Sequence, residues 1–167
     1  DENKWPEKLH VQGLPEEDVE VRVGAFTTVT AQNLGEALPD PSKFSSWTKY
    51  KRTVAWILRF VRNARLTGEL RRQRNLGPLT VSELHDAEKN IVKMVQVGSY
   101  LTELQGLQAG QQLGKKKSSI TDLSPILDAD DILRVGGRLG KAPLDMDSRH
   151  PILLPSNSDV TKMIIRE

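Results

Sequence analysis

Ten basic side chains, Lys43, Lys49, Lys51, Arg52, Arg59, Arg62, Arg65, Arg71, Arg72 and Arg74, fall in a stretch that holds a single acid, Glu69. Cations at that density attract phosphate backbones through release of condensed counterions, whatever the base sequence. Arg52, Arg59, Arg62, Arg71, Arg72 and Arg74 are the candidate contacts, able to position a nucleic acid without reading its bases. A solvated helix face is the competing reading, because residues 1–40 carry nine acids against three bases, net −6, and partly neutralise the stretch. Trp47, Trp56 and Phe60 lie among the cations and offer a different chemistry, seating a neighbouring domain or a second copy of the chain.

The remaining polar groups do not assemble a reaction centre. Asp128, Asp130 and Asp131 could converge on calcium, but the segment lacks the glycine and the distal glutamate of such a loop and reads as a turn. Asp145 and Asp147 read as loop carboxylates without an activating neighbour. Gly136-Gly137 has neither the Lys-Ser pair nor the following helix of a phosphate cradle. No nucleophile elbow, His–Cys pair or acid triad is recognisable, so the chain reads as no enzyme by itself. Cysteine is absent, and His10, His85 and His150 do not have metal-ligand spacing, so no cofactor is expected within the chain. His150, beside Pro151, reads as a structural residue at a strand entry, and His85 as solvent-facing.

The elements that would hold these groups follow from periodicity. With 37% hydrophobic and 5% aromatic residues among 167, the supply of core is thin, and folded islands with mobile joints are expected. Trp47, Tyr50, Val54, Ile57, Leu58 and Val61 recur at spacings of three and four, which predicts a helix from Ser46 to about Arg65, capped by Ser45 or Ser46. Lys49, Arg52, Arg59 and Arg62 fall on or beside the opposite face; Trp56 and Phe60 lie off the stripe, so the helix is either covered on two sides or part of an interface. Thr80 with Glu83 forms a capping box, flanked by Leu79 and Leu84 at the staple positions. The helix it opens has an apolar face of Leu84, Ala87, Ile91, Met94 and Val95, predicting an antiparallel pair with the first helix. Gly98 weakens its end, and Tyr100, Leu101, Leu104 and Leu107 fit a further short helix.

Elsewhere the signals are shorter. Residues 1–42 read as linker, with one possible strand where Val19, Val21 and Val23 alternate with polar residues. Residues 110–119, with Lys115-Lys116-Lys117, read as a flexible basic loop. Ile132–Val135 reads as a strand, Gly136-Gly137 as a site of positive φ or a bulge, and Arg138-Leu139 as resumed pairing. Ile152–Leu154, confined by Pro151 and Pro155, reads as an edge strand, and Ser156 or Ser158 caps a last helix through Val160, Met163, Ile164 and Ile165. That helix is just getting under way at Glu167, which suggests a domain continuing beyond it. The longest apolar run, Val54–Leu58, is far below the roughly 20 residues of a membrane span.

Four blocks resemble one family, the polyproteins of BEL/Pao-type long-terminal-repeat retrotransposons, in the region joining RNase H to the integrase. Trp5-Pro6 is similar to the Trp-Pro after the RNase H end, and SSWTKYKRTVAWILRFVRN to the family's Ser-Ser-Trp helix. LTVSELHDAEKNIVKMVQ is similar to its Leu-Thr, Glu-Leu, Ala-Glu helix, and ILRVGGRL, HPILLP and TKMIIRE to the lead-in to the integrase zinc-binding module. The likeness spans nearly the whole chain. It implies that the His-His-Cys-Cys zinc ligands and the Asp-Asp-Glu catalytic core lie downstream, so no metal or catalytic residue carries over. Two departures stand out: Asp131 where a glycine is usual, and Asn157-Ser158 where a Lys/His-rich turn is usual. Asp and Asn tolerate left-handed backbone, so the fold is expected to survive both.

The expectation is therefore an α+β chain, mainly helical, with a helical pair at 43–109 and a small antiparallel β element within a C-terminal 120–167 lead-in to the zinc-binding domain. Its expected role is a non-catalytic module of the polyprotein that contacts nucleic acid non-specifically and positions the zinc-binding domain, in a cytoplasmic particle or the nucleus. A protein-interaction or oligomerisation module, or a decayed element without a present role, are the alternatives.

Overall fold

The computed structural model describes residues 38–110, 120–137 and 145–167. The expected strand at 19–23, Trp5, His10, the basic loop of Lys115–Lys117 and the pairing of Arg138-Leu139 lie outside them. Two long helices dominate: α1, Trp47–Arg65, and α2, Val81–Gln108. Two-residue strands β1, Ile126–Leu127, and β2, Leu133–Arg134, follow, then the short α3, Met146–Arg149, and α4, Asp159–Arg166. The chain is thus mainly helical, with a small antiparallel sheet near its C-terminus. No helix among the described residues is long and apolar enough to cross a membrane.

Helix α1 forms where its stripe predicts, but its N-terminus is satisfied differently. Ser46 is the N-cap residue, extended at φ −140°, and its hydroxyl makes no cap bond. The carboxylate of Glu167 supplies the acceptor instead, taking the Thr48 amide at 3.0 Å and also the Thr48 hydroxyl. A negative group at a helix N-terminus complements the macrodipole. The Thr48 hydroxyl bond is the main reason that Glu167 sits below its ordinary carboxylate pKa.

Helix α2 opens with the capping box: the Thr80 amide donates to Glu83 Oε2 at 2.9 Å, and the Glu83 amide to Thr80 Oγ1 at 3.3 Å. The expected weak point two residues beyond Gly98 is a kink at Tyr100 (φ −131°, ψ 30°), after which helix resumes to Gln108. Two cores lie along this one helix. Trp47, Tyr50, Val54 and Ala55 of α1 pack against Ala87, Ile91 and Val95 of α2, and Val160 and Met163 of α4 complete the cluster with Leu38. Beyond the kink, Leu104 packs with Ile120, Leu133 and Leu153, flanked by Tyr100, Leu107, Leu127 and Val135.

The β element runs antiparallel with Ile126 opposite Arg134 and Leu127 opposite Leu133. Ile152 adds a single bridge to Arg134, which puts it at the edge but shortens the expected strand 152–154 to one residue. Prolines on both sides remove backbone donors there, leaving the Val135 amide on the Pro151 carbonyl (2.9 Å) and the Leu153 amide on the Leu133 carbonyl (3.0 Å). Between β1 and β2, Asp128 holds the turn: its Oδ1 accepts from the Asp130 and Ile132 amides at 2.9 Å each, and its Oδ2 from Arg134 Nε at 2.6 Å. Burial pushes the Asp128 carboxyl up, but Arg134 and the two amides outweigh it and leave the pKa lowered. Asp131 adopts φ 57°, a left-handed backbone that Asp tolerates.

Both glycines of the Gly136-Gly137 pair have a reason. Gly137 takes φ 114°, and a Cβ on Gly136 would lie 2.0 Å from the Ser124 carbonyl oxygen. Because that oxygen belongs to backbone, Gly136→Ala is expected to cost about 1–3 kcal/mol through overpacking at the sheet. Denaturant midpoints of the two proteins check this; an unchanged midpoint would contradict so close an approach.

Candidate nucleic-acid interface

The six arginines divide into two classes once α1 meets α2. Arg59 lies four residues beyond the buried Ala55, on the side of α1 that faces the start of α2, and is only 3% exposed. Its Nε donates to Glu83 Oε1 at 2.8 Å, one terminal nitrogen donates to Glu83 Oε2 and, at 2.8 Å, to the Pro78 carbonyl, and the other to the Gly77 carbonyl. Its guanidinium also sits 4.7 Å from the ring centroid of Trp56. Every edge of the group is occupied inside the protein, so the expectation that Arg59 contacts phosphate is corrected: it is a strut between α1, the connector and α2.

Arg74 is corrected for a similar reason. Its guanidinium turns back on the C-terminus of α1, donating to the carbonyls of Asn63 and Leu66 at 2.9 Å each, where a cation meets the negative end of the helix dipole. The Asn63 side chain reinforces the fold-back by bonding both backbone groups of Asn75, its Nδ2 donating to the carbonyl at 2.9 Å and its Oδ1 accepting from the amide at 3.2 Å. The connector between the helices, including the 3-10 turn Gly68–Gln73, is therefore fastened from both ends.

Arg52, Arg62, Arg71 and Arg72 remain on the surface. Arg62 stands 3.7 Å from Asp86, but with side chains 55% and 46% exposed this pair is weak. Arg71 and Arg72 lie on the connector that Arg59 and Arg74 hold, so the two internal arginines fix the position of the outer ones. The exposed Lys49 lies on the same helix side as Arg52, three residues earlier. Between α1 and α2, a groove of about 590 Å³ carries Arg62, Arg65, Lys89 and Lys93 together with Asp86 and Asp130. Both of its carboxylates are paired, Asp86 with Arg62 and Asp130 with Lys89 at 2.6 Å.

The aromatic candidates divide too. Trp47 is 8% exposed, its ring 6.5 Å from that of Tyr50 in the first core and under the Lys51 ammonium, so its expected role at an interface is corrected. Trp47 belongs to the apolar stripe, and the stripe decides its side. Trp56 and Phe60 are 47% and 61% exposed, four residues apart on α1.

The other groups weighed for chemistry are engaged structurally. Besides Asp128, Asp130 and the Asp131 backbone, Asp145 caps α3 by accepting from the Ser148 amide at 3.3 Å, and Asp147 pairs with Arg134 at 2.8 Å. His150 Nδ1 lies 2.9 Å from the Val135 carbonyl, the strand-entry role expected of it, and His85 is exposed. No group of three or more His, Asp or Glu that could hold a metal occurs among the described residues.

Gln96 was not singled out by its sequence and carries much of the β element. It is fully buried, with its Nε2 donating to the Leu133 and Leu153 carbonyls and its Oε1 accepting from the Leu133 amide, all at 2.8 Å. Its amide thus substitutes for a neighbouring strand. The available signal was its place four residues after the apolar Val92, on a side of α2 away from the stripe that meets α1.

No family model matches the chain, and no curated protein or solved structure matches it.

Proposed function

We propose that this chain is a non-catalytic nucleic-acid-binding module, and that its place is the region before the integrase in a BEL/Pao-type retrotransposon polyprotein, intracellular in a particle or the nucleus. The observation that carries the binding reading is the division of the arginines. Arg59 and Arg74 make the connector rigid, and Arg52, Arg62, Arg71 and Arg72 stand outward on α1 and that connector. Ordering long side chains on a fixed scaffold lowers the entropy cost of engaging several phosphates at once. The contacts are to backbone and carry no sequence preference. The resemblance supplies the polyprotein setting, in which α2, packing against α1 on one length and the β element on another, would set the basic face at a fixed distance from the downstream zinc-binding module.

Changing Arg52, Arg62, Arg71 and Arg72 together to Gln is expected to weaken binding to nucleic acid by about tenfold or more at low salt. Gel shift or fluorescence anisotropy measures it, and circular dichroism should be unchanged because these side chains are exposed. Equal affinity of the two proteins, or no binding by the wild type at low salt, contradicts the reading. The exposure of Trp56 and Phe60 favours a second reading, a seat for a neighbouring polyprotein domain or a second copy. Light scattering on the wild type and Trp56→Ala tests it, since a monomer indifferent to the substitution counts against self-association.

A further inference from the structure

We infer that Trp56 and Phe60 form a stacking platform for unpaired bases, so that the basic side of α1 selects single-stranded over duplex nucleic acid. The inference rests on the reading of that side as a phosphate-binding surface and adds the form of nucleic acid it takes. Lys49, Arg52, Trp56 and Phe60 follow one another at spacings of three, four and four, which puts them in one row along the helix. All four are exposed. Cations and rings thus share a row, and the two rings are about 6 Å apart along the helix axis, at about 1.5 Å rise per residue.

Such a row meets a single strand on both of its chemistries. Phosphates pair with Lys49 and Arg52, while bases lay their flat faces on the rings; in a duplex those faces are covered by neighbouring bases. The indole is also held in place before any ligand arrives. One side of it is backed by the Arg59 guanidinium at 4.7 Å, and Arg59 is itself fixed to Glu83 and to the Gly77 and Pro78 carbonyls. A ring fixed in this way loses little side-chain freedom on stacking. Charge decides the occupant: an apolar partner surface gains nothing from Lys49 and Arg52 beside the rings, whereas a polyanion does.

The test uses the 167-residue chain with oligo(dT), oligo(U), an abasic oligonucleotide of equal length and a duplex, each titrated by anisotropy and by tryptophan fluorescence. The wild type is expected to bind oligo(dT) about tenfold or more tighter than the abasic strand, with quenching of its tryptophan emission. Trp56→Ala with Phe60→Ala should abolish that margin and the quenching while leaving abasic binding unchanged, and Trp56→Phe should retain most of the margin. A preference between oligo(dT) and oligo(U) identifies the sugar taken without altering the stacking. Equal binding of oligo(dT) and the abasic strand by the wild type, or a margin that survives the double substitution, overturns the inference and leaves the phosphate surface intact. A concentration-dependent dimer that Trp56→Ala dissolves assigns the rings to a second copy and overturns it as well. Absence of all binding at low salt is the separate failure, that of the surface itself.

Discussion

Glu83→Ala is expected to destabilise the protein by about 3–5 kcal/mol, the cost of leaving a buried charge without its partner. One carboxylate serves three neighbours: it accepts from Arg59, closes the capping box on Thr80, and takes a bond from Asn75 Nδ2 at 3.3 Å. Removing it leaves Arg59 buried and charged between Gly77 and Pro78, and opens the first turn of α2. Thermal or urea unfolding measures the effect, and a cost below about 1 kcal/mol, typical of an exposed ion pair, would contradict it.

The same group sets an acid limit. The bonds from Arg59, then that from the Thr80 amide, outweigh burial and hold the Glu83 pKa at about 2, from an ordinary 4.5. A carboxylate depressed in the folded state contributes stability that is full above its unfolded pKa and is lost as pH falls through the folded one. The contribution of Glu83 should therefore decline from about 4.5 down to about 2. Asp40, Asp128, Asp145 and Glu167 are lowered as well and act in the same direction, so the informative quantity is the difference between wild type and Glu83→Gln. That difference should be largest near neutrality and shrink with acid. A gap independent of pH would mean that Glu83 acts by shape and capping alone.

Gln96→Leu has the second large expected effect and should act on one end of the molecule. Leucine fills similar space but leaves the Leu133 amide and the Leu153 carbonyl buried without the partners that Gln96 provides, at about 1–3 kcal/mol each. The Leu133 carbonyl keeps the bond from the Leu153 amide, so the β element loosens from α2 before it dissolves. Hydrogen exchange should show lost protection at Leu133 and Leu153 with α1 little changed, because those two residues belong to the second core and α1 to the first. Uniform loss across both cores, or none, would show that Gln96 does not act as a local staple.

The local rules of helix and turn were legible because their partners lie a few residues apart. Thr80 with Glu83, the α1 stripe, the break after Gly98, and the turn around Asp128 all follow from spacing and residue type alone. What stayed hidden involves groups whose partners are distant in the chain. An arginine on a helical surface looks the same in sequence whether it meets solvent or a carboxylate on another helix, so spacing and residue type do not separate Arg59 and Arg74 from Arg52, Arg62, Arg71 and Arg72. Gln96 interrupts no pattern strongly enough to announce that two carbonyls and an amide await it. Trp47 carried two readings at once, and its place in the stripe outweighed its neighbourhood of cations. The contact of Glu167 with Thr48 joins the two ends of the described chain, and no local signal marks it.

In the proposed function four outward arginines act together while two inward ones hold the scaffold. The direct measurement is the salt dependence of nucleic-acid affinity between about 50 and 200 mM, for the wild type and for the protein with Arg52, Arg62, Arg71 and Arg72 changed to Gln. Four neutralised phosphates give an expected slope of log affinity against log salt of about −3 to −4 in the wild type, and a much shallower slope in the variant. A wild-type slope near zero, or the same slope in both proteins, would contradict the assignment of these side chains to phosphate.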